Sequence, residues 1–388
     1  MTHAKGLSRT TRYVPIIFTV GLATTVGGCT NAPESAPKPT ATSSQAAATT
    51  SSEAPATPTT EAPPADAELR AAVAQLMMVG VRDFDDAKRA LDLGAGGIFI
   101  ASDTDPNLLT EPGRDIHALR DQVGRPFSVS IDFEGGRVLR HAGILGTFPA
   151  PRVMADTKTE EEVRALAQEM ATSLAQHGIT VNFAPVLDID AAGLDVVGDR
   201  AFSTEPERAA RYAAAFAQGM VDGGVTPVFK HFPGHGRASG DSHHNTVTTP
   251  PLEELKTFDL APYAHALPAV PQAAVMMGHM TVPGLGDAPT SLNHDAYELL
   301  RTGDYPGGQW FNGVIVTDDL SGMKAISDTL PAHEAAAHAI AAGADQALWL
   351  TTDELGAAID TTLGYVTDGR LKAEDVAIKA GRVAQLQR

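Results

Sequence analysis

Short runs of apolar residues alternate with longer amphipathic segments along most of the chain. The apolar runs contain few polar side chains, as expected of strands that are buried on both faces. They predict eight β-strands, at residues 76–81, 97–100, 127–132, 180–187, 226–231, 273–279, 314–318 and 346–350. Between several of them lie segments with the spacing of helices that bury one face, such as 160–177, 206–222 and 331–342.

Eight strands of the parallel type, joined by helical crossovers, favour a single (β/α)8 barrel of the TIM type in the α/β class. The alternative is an open doubly wound sheet, but no glycine-rich dinucleotide fingerprint follows an early strand. The globular pattern continues from residue 67 to residue 388 without a second linker. We therefore expect one barrel domain over 67–388.

The first residues of the chain are typical of an export signal. Residues 1–28 begin with basic side chains and continue with a short apolar run over 13–26, which is too short for a membrane span of about 20 residues. Small residues, Gly27 and Gly28, then precede Cys29, the only cysteine of the sequence. This order resembles a bacterial lipobox, so we interpret 1–28 as a lipoprotein signal peptide and Cys29 as the lipidated residue. The alternative is an ordinary signal peptide with an incidental cysteine.

Residues 29–66 consist almost entirely of Ala, Pro, Thr, Ser and Glu. Such a segment has too little apolar surface to offset its conformational entropy, which predicts a disordered tether. Together, signal and tether predict an exported protein that is anchored by Cys29 to the outer face of the cell membrane.

Composition excludes some partners. The chain has 47 acidic and 29 basic side chains, a formal net charge of −18, and only 5% aromatic residues. Such a chain repels phosphate backbones and offers few stacking platforms, so we expect no nucleic acid partner.

Charged residues stand at the ends of four predicted strands. Asp132 and Glu134 follow the third strand, Lys230-His231 ends the fifth, His279 the sixth and Asp318-Asp319 the seventh. In a (β/α)8 barrel the carboxyl ends of the strands surround the active site. We therefore expect these side chains to meet in one pocket.

The segment 230–241 continues as a glycine-rich loop, with Asp241 two residues before His243. In a turn that carboxylate can reach the imidazole, which is the arrangement of an acid/base histidine. Structural hydrogen bonds are the simpler interpretation of any single histidine here. A metal site from His235, His243, His244 and Asp241 is a further alternative, although no two-histidine helical motif or paired-cysteine motif accompanies it.

Several long motifs now become recognisable. They are Lys230–Gly236 with Asp241-Ser242-His243, the stretch 131–140 (IDFEGGRVLR), 181–188 (VNFAPVLD), 198–202 (GDRAF) and 314–320 (VIVTDDL). In this order they resemble glycoside hydrolase family 3, with the closest match to its β-N-acetylglucosaminidase branch. The motifs span 131–324, and the barrel pattern extends the resemblance over nearly all of 67–388.

The resemblance implies a role for individual residues. Asp318 matches the nucleophile, His243 the acid/base and Asp241 its partner. Residues that match ligands of the bound sugar are Asp132, Arg140, Arg200, Lys230 and His231. By chemistry alone Asp319 could equally be the nucleophile. Supporting roles are expected for Asp188, Arg137 and His279.

The resemblance also implies an activity without a metal or organic cofactor. It is the release of terminal N-acetylglucosamine with retention of configuration. An exported enzyme of this kind has peptidoglycan nearby, so we expect its substrates to be cell-wall glycans and muropeptides. Many family members carry a second domain that supplies the proton donor. No such domain follows residue 388, so we expect the donor to come from the loop with Asp241 and His243.

Three other activities remain open at this stage. A histidine in place of a second carboxylate leaves less negative charge beside the nucleophile, so phosphate could replace water as the acceptor. A metal-dependent barrel hydrolase could use Lys230, His231, His279 and Asp318. A lipoprotein that binds sugars without turnover is the third alternative.

Overall fold

The computed structural model of the chain describes residues 65–241 and 247–388. The barrel strands are β1 (Met77–Val81), β2 (Gly97–Ile100), β3 (Ser128–Ile131), β6 (Val181–Asn182), β7 (Thr226–Phe232), β8 (Ala274–Met277), β9 (Ile315–Thr317) and β10 (Ala347–Trp349). A short antiparallel hairpin of β4 (Phe133–Gly135) and β5 (Val138–Leu139) follows β3. Residues 1–28, Cys29, the tether up to residue 64 and His243 lie outside the described residues, so the assignments made for them stay predictions.

The eight barrel strands form one parallel sheet in the order β10-β1-β2-β3-β6-β7-β8-β9. Its two edges meet, because Val316 of β9 forms a parallel bridge with Gln346 and the Thr317 amide donates to the Gln346 carbonyl over 3.0 Å. All eight predicted strands are present in the predicted order. The prediction of a TIM-type (β/α)8 barrel is confirmed, and the alternative of an open doubly wound sheet is wrong.

Helices alternate with the strands. They are α1 (Ala65–Gln75), α2 (Phe84–Asp92), α3 (Asn107–Thr110), α4 (Ile116–Val123), α5 (Ala142–Leu145), α6 (Pro151–Thr157), α7 (Glu160–Gln176), α8 (Pro206–Asp222), α9 (Leu252–Thr257), α10 (Ala261–Ala269), α11 (His294–Thr302), α12 (Lys324–Ser327), α13 (Ala332–Ala342), α14 (Leu355–Thr367) and α15 (Ala373–Val383). The three predicted helical segments correspond to α7, α8 and α13. Among the helices of the described ranges, none has the length and apolar character needed to cross a membrane.

Helices α7 and α8 show how the sequence sets the outer layer. A capping box begins α7, in which Thr159 Oγ1 accepts from the Glu162 amide and the Glu162 carboxylate accepts from the Thr159 amide. Gly219 of α8 faces the α7 backbone, where a Cβ atom would lie 2.2 Å from the Arg164 carbonyl oxygen. Glycine is therefore required for the close approach of the two helices.

The barrel interior is a packed core. Alternate strand residues point inward and form one apolar cluster, which includes Met78, Phe99, Val181, Val228, Met276, Val316 and Leu348. A larger cluster fills the space between the strands and the helices. The inner cluster closes the barrel from below, so any pocket must lie above it, at the carboxyl ends of the strands.

One predicted strand is shorter than expected. The apolar run 180–187 forms a strand only at Val181–Asn182, because Pro185 has no amide hydrogen for a regular ladder. The segment still follows its neighbours, since the Phe183 amide donates to the Ile131 carbonyl over 2.8 Å and the Leu187 amide to the Lys230 carbonyl over 2.6 Å.

Candidate active site

A cavity of about 670 Å³ opens at the carboxyl ends of the barrel strands. Its floor includes Phe99, Phe183, Met276 and Leu348, all members of the inner cluster. The described residues to which the resemblance gave a catalytic or sugar-binding role all line it: Asp132, Arg140, Arg200, Lys230, His231, Asp241 and Asp318. Of the strand-end side chains expected to meet in one pocket, Glu134 and Asp319 also line the cavity, whereas His279 is buried outside its lining, so the expectation is wrong for His279.

Strand alternation explains why three of these side chains point into the cavity. Asp132, Lys230 and Asp318 each lie two residues beyond an inward-facing residue, Ser130, Val228 and Val316 respectively. Residues i and i+2 of a strand share a face, so the three charged side chains continue the rows of inward-facing residues. These rows are small or apolar inside the barrel and charged at its mouth.

His231 departs from that alternation. Between β7 and β8 the pairing advances from Phe229–Val275 to Phe232–Met277, which is three residues on one strand and two on the other. Such a bulge re-aims a side chain. It allows the consecutive residues Lys230 and His231 to line the same cavity.

Lys230 is the centre of a buried charge network. Its Nζ lies 2.8 Å from Asp132 Oδ1 and 2.6 Å from Glu134 Oε1, and its side chain is only 3% exposed. Burial by itself lowers the pKa of Lys230, but the two carboxylates outweigh it and raise that pKa above its ordinary value. Its ammonium has three N–H donors and two carboxylate partners among the described residues.

Two arginines complete the network. Arg200 makes a bidentate pair with Glu134, with both N–O distances at 2.8 Å. Arg140 donates twice to Asp132 Oδ2, over 2.7 and 3.1 Å, and lies over the Phe99 ring. Burial raises the pKa of Asp132 and Glu134, but the neighbouring cations dominate and hold both pKa values below the ordinary range. The network thus presents fixed donors and acceptors to the cavity.

Asp318 and Asp319, which chemistry alone leaves equivalent, have different surroundings. The Asp319 oxygens accept from the Ser321 amide, the Ser321 hydroxyl and the Gly322 amide, over 2.7–2.9 Å. Asp318 Oδ1 accepts from the Asp319 amide, and its Oδ2 lies 4.0 Å from His231 Nε2 at the cavity. Both oxygens of Asp319 are therefore used to stabilise the turn at Ser321 and Gly322. Asp318 is the carboxylate with an oxygen that faces the cavity and can react.

The pKa values of the two carboxyls shift in opposite directions. Burial is the main cause that raises the pKa of Asp319. Burial also acts on Asp318, but the neighbouring His231 and His279 and the Asp319 amide lower its pKa below the ordinary value. Asp318 is thus ionised at neutral pH, as a nucleophile must be.

His231 has a carboxylate partner on its other ring nitrogen. Its Nδ1 lies 2.6 Å from Asp188 Oδ2, and Asp188 is fully buried. Burial raises the pKa of Asp188, but the adjacent His231 and His235 lower it to about 2. Asp188 therefore supports His231 from below the cavity, in agreement with the supporting role expected from the sequence.

The other two expected supporting residues also hold site elements in place. His279 bonds to Ser291 Oγ over 2.7 Å and to the Asp319 carbonyl over 2.8 Å, one with each ring nitrogen. Arg137 pairs with Asp199 over 2.8 Å and donates to the Asp195 carbonyl.

The contacts of His279 bear on the alternative of a metal-dependent hydrolase. Both of its ring nitrogens bond within the protein, so neither is available to bind a metal ion. Over residues 65–241 and 247–388, no group of three or more His, Cys, Asp or Glu side chains is arranged to hold a metal ion.

Glu134 was expected in the pocket as a strand-end residue, but the sequence motifs gave it no role. It is fully buried, and it joins Arg200 to Lys230. A signal was present in the sequence, because Glu134 lies two residues beyond Asp132 and an extended segment places both on one side.

Known proteins resemble this chain in sequence and in structure. Residues 68–386 match the model of the Glycosyl hydrolase family 3 N terminal domain. A protein of Mycobacterium tuberculosis named beta-hexosaminidase LpqI is 45% identical over 328 residues, which are 84% of each chain. The crystal structure of a family 3 glycosyl hydrolase from Mycobacterium smegmatis superposes with a TM-score of 0.79 at 44% identity, covering 82% of this chain and 97% of that one.

A third comparison is more distant. A family 3 β-N-acetylglucosaminidase from Paenibacillus superposes with a TM-score of 0.75 at 32% identity, covering 82% of this chain and 62% of that one. The family match extends over the whole barrel described above. The expectation drawn from the sequence motifs is confirmed, and the chain belongs to glycosyl hydrolase family 3.

Proposed function

We propose that the protein is an exo-acting, retaining β-N-acetylglucosaminidase that releases terminal N-acetylglucosamine from peptidoglycan fragments during cell-wall turnover or recycling. The relatives named beta-hexosaminidase and β-N-acetylglucosaminidase support the sugar. The observation that carries the proposal is Asp318, an ionised carboxylate that faces the cavity beside the Asp132–Lys230–Glu134–Arg200 network.

The network is suited to a neutral sugar. Lys230, Arg140 and Arg200 supply charged donors, and Asp132 supplies acceptor oxygens, so sugar hydroxyls and an acetamido carbonyl are held by charge-assisted hydrogen bonds. The apolar floor of Phe99 and Met276 excludes water beneath the ring. A substrate held in this way presents its anomeric carbon to Asp318.

The reaction has two steps. Asp318 attacks the anomeric carbon, the bond to the leaving oxygen breaks, and His243 gives that oxygen a proton. In the second step His243 takes a proton from water, the water oxygen attacks the glycosyl-enzyme, and Asp318 leaves as a carboxylate. Asp241, which lines the cavity, orients His243 in this proposal.

The exo-acting mode is inferred from the form of the site. The catalytic and sugar-binding residues line one pocket of about 670 Å³ at the barrel mouth. A pocket suits the end of a glycan better than the middle of a polymer, for which a groove is the usual form.

The location of the enzyme is proposed from its first residues. We infer that residues 1–28 direct export, that Cys29 is lipidated, and that residues 29–66 tether the barrel to the outer face of the membrane, where cell-wall fragments are present. Replacing Cys29 by Ala should move the protein from the membrane fraction to the soluble fraction. Unchanged membrane retention would contradict lipidation as the anchor.

The activity is tested by product analysis with a chromogenic N-acetylglucosaminide and with muropeptides. We expect free N-acetylglucosamine of retained configuration together with the released chromophore or the shortened muropeptide, and unchanged rates after chelation. Sugar binding without turnover, or loss of activity after chelation, would contradict the proposal. Adding phosphate decides between water and phosphate as the acceptor, since a sugar 1-phosphate would identify a phosphorylase.

A second experiment tests the proton donor. His243→Ala should slow substrates with poor leaving groups most and those with activated leaving groups least, because only the former need a proton in the first step. Equal losses for all substrates would show that His243 is not the general acid.

A further inference from the structure

Asp188 is a buried carboxylate for which the proposed reaction has no direct use. Three hydrogen-bond donors surround it. Its Oδ2 accepts from His231 Nδ1 over 2.6 Å, and its Oδ1 accepts from the His231 amide over 3.3 Å and from the His235 amide over 2.7 Å. A carboxylate fits this position because both of its oxygens are acceptors, whereas an asparagine would set an NH2 group against one of the donors.

The ionised state of Asp188 determines where the His231 proton lies. The pKa of Asp188 is lowered to about 2, so at neutral pH this group only accepts hydrogen bonds. The ring hydrogen of His231 is therefore on Nδ1. Nε2 is left as the ring atom that faces Asp318, with 4.0 Å between His231 Nε2 and Asp318 Oδ2.

We propose that Asp188 is a positioning residue of the glycosidase reaction, acting through His231. It fixes the ring orientation and the tautomer of His231 beside the nucleophile, so that Nε2 is available to the bound sugar. Through the His235 amide it also fixes the start of the loop that leads to Asp241. The inference rests on the proposed function, because it assigns a role within that reaction.

The chemistry of an Asp188→Asn variant follows from this arrangement. If the Asn NH2 faces His231 Nδ1, that nitrogen must accept, and the ring hydrogen moves to Nε2, next to Asp318. The sugar then loses an acceptor, and the nucleophile gains a hydrogen bond that weakens it. In serine proteases the equivalent exchange behind the catalytic histidine preserves the geometry and costs about 10⁴ in kcat. His231 does not transfer the proton here, so we expect a smaller loss, of about 10²-fold in kcat/KM.

A double-mutant cycle separates positioning from a purely structural role. Asp188→Asn is measured in the wild-type and in the His231→Ala background, with Asp190→Asn as the matched control. Asp190 lies two residues further along the same segment and bonds to Arg152 over 3.3 Å. We expect a loss of about 10²-fold in the wild-type background, less than about 3-fold with His231→Ala, and less than about 3-fold for the control. Equal losses in both backgrounds would overturn the proposal.

The tautomer of His231 can also be measured directly on the wild-type enzyme, so this test does not depend on the folding of a variant. Nitrogen-15 chemical shifts of the His231 ring identify the nitrogen that carries the hydrogen. Hydrogen on Nδ1 alone, in a neutral ring, agrees with the proposal. Hydrogen on Nε2, either alone or together with Nδ1, would overturn it, because Nε2 could then not accept from the sugar. The measurement does not depend on turnover, so a failure of the proposed activity remains distinguishable from a failure of this inference.

Discussion

Two buried charge clusters lie at opposite ends of the barrel. At the mouth, Asp132 and Glu134 share Lys230 beside an open cavity. Beneath the strands, Asp345 pairs with Arg301 over 2.5 Å and with Arg382 over 3.1 Å. Both clusters contain carboxylates and cations away from water, and composition alone does not tell them apart.

They differ in what else their polar atoms contact. In the lower cluster Asp345 also accepts from the Ile315 amide, and Arg301 donates to the Phe311 and Gly313 carbonyls. These atoms fasten the start of β9 to α11. At the mouth the polar atoms line a cavity of about 670 Å³ and point to a place where a ligand can lie. Buried charge thus indicates function only where it borders space for a ligand.

The strongest test of this difference is Asp318→Asn. The substitution keeps the size of the side chain and removes the nucleophile, so turnover should fall by about 10⁴-fold or more. The melting temperature should stay close to that of the wild type. Initial rates with an activated N-acetylglucosaminide measure the loss, and near-normal turnover would show that Asp318 is not the nucleophile.

Asp345→Asn should have the opposite effect. It leaves Arg301 and Arg382 with an uncompensated charge, which destabilises a protein by about 3–5 kcal/mol. Activity per folded molecule should remain within about 2-fold of the wild type, because the cluster lies away from the cavity. Urea unfolding and initial rates on the same sample provide the two values. A selective loss of activity would remove the distinction between the two clusters.

Glu134→Gln tests the mouth cluster at a residue that is fully buried and acts through its neighbours. Without the carboxylate, Lys230 and Arg200 lose their shared partner and no longer hold their positions toward the sugar. We expect kcat/KM to fall by about 10²-fold, mostly through a higher KM. A drop in melting temperature with unchanged kinetic constants would assign Glu134 to structure only.

The smallest expected effect concerns acid stability. The pKa of Asp188 is about 2 in the folded protein and about 4 in an unfolded chain. A carboxyl with a lowered pKa stabilises the fold above pH 4, and this contribution is lost as the pH falls from 4 toward 2. Between these values the wild type should therefore lose about 2 kcal/mol more unfolding free energy than Asp188→Asn. Urea unfolding at pH 5 and pH 2.5 measures both proteins, and parallel losses would contradict the assigned pKa.

The strands and the polar residues at their ends could be predicted because both follow from local patterns. Apolar runs marked the eight strands, and charges at their carboxyl ends marked the cavity. Strand alternation, however, places Lys230 and His231 on opposite faces, and only the bulge in β7 brings both to one side. A bulge depends on pairing with the next strand, which no local pattern contains.

The choice between Asp318 and Asp319 shows a second limit. Their neighbours in sequence are nearly the same, and the family motif alone ranked them. In the structure the difference is visible, because the amides of Ser321 and Gly322 turn back onto Asp319. The partnership of Asp188 with His231 likewise joins residues that are 43 positions apart. Contacts of this range are set by the fold.

The filled interior of the barrel also decides how molecules move through a catalytic cycle. Met78, Val228 and Val316 pack below the cavity, so nothing passes along the barrel axis. The severed remainder of the glycan must leave through the mouth before water can take its place, and the free sugar leaves last by the same route. Substrate and both products thus share one opening, and accumulated N-acetylglucosamine should compete with substrate for it.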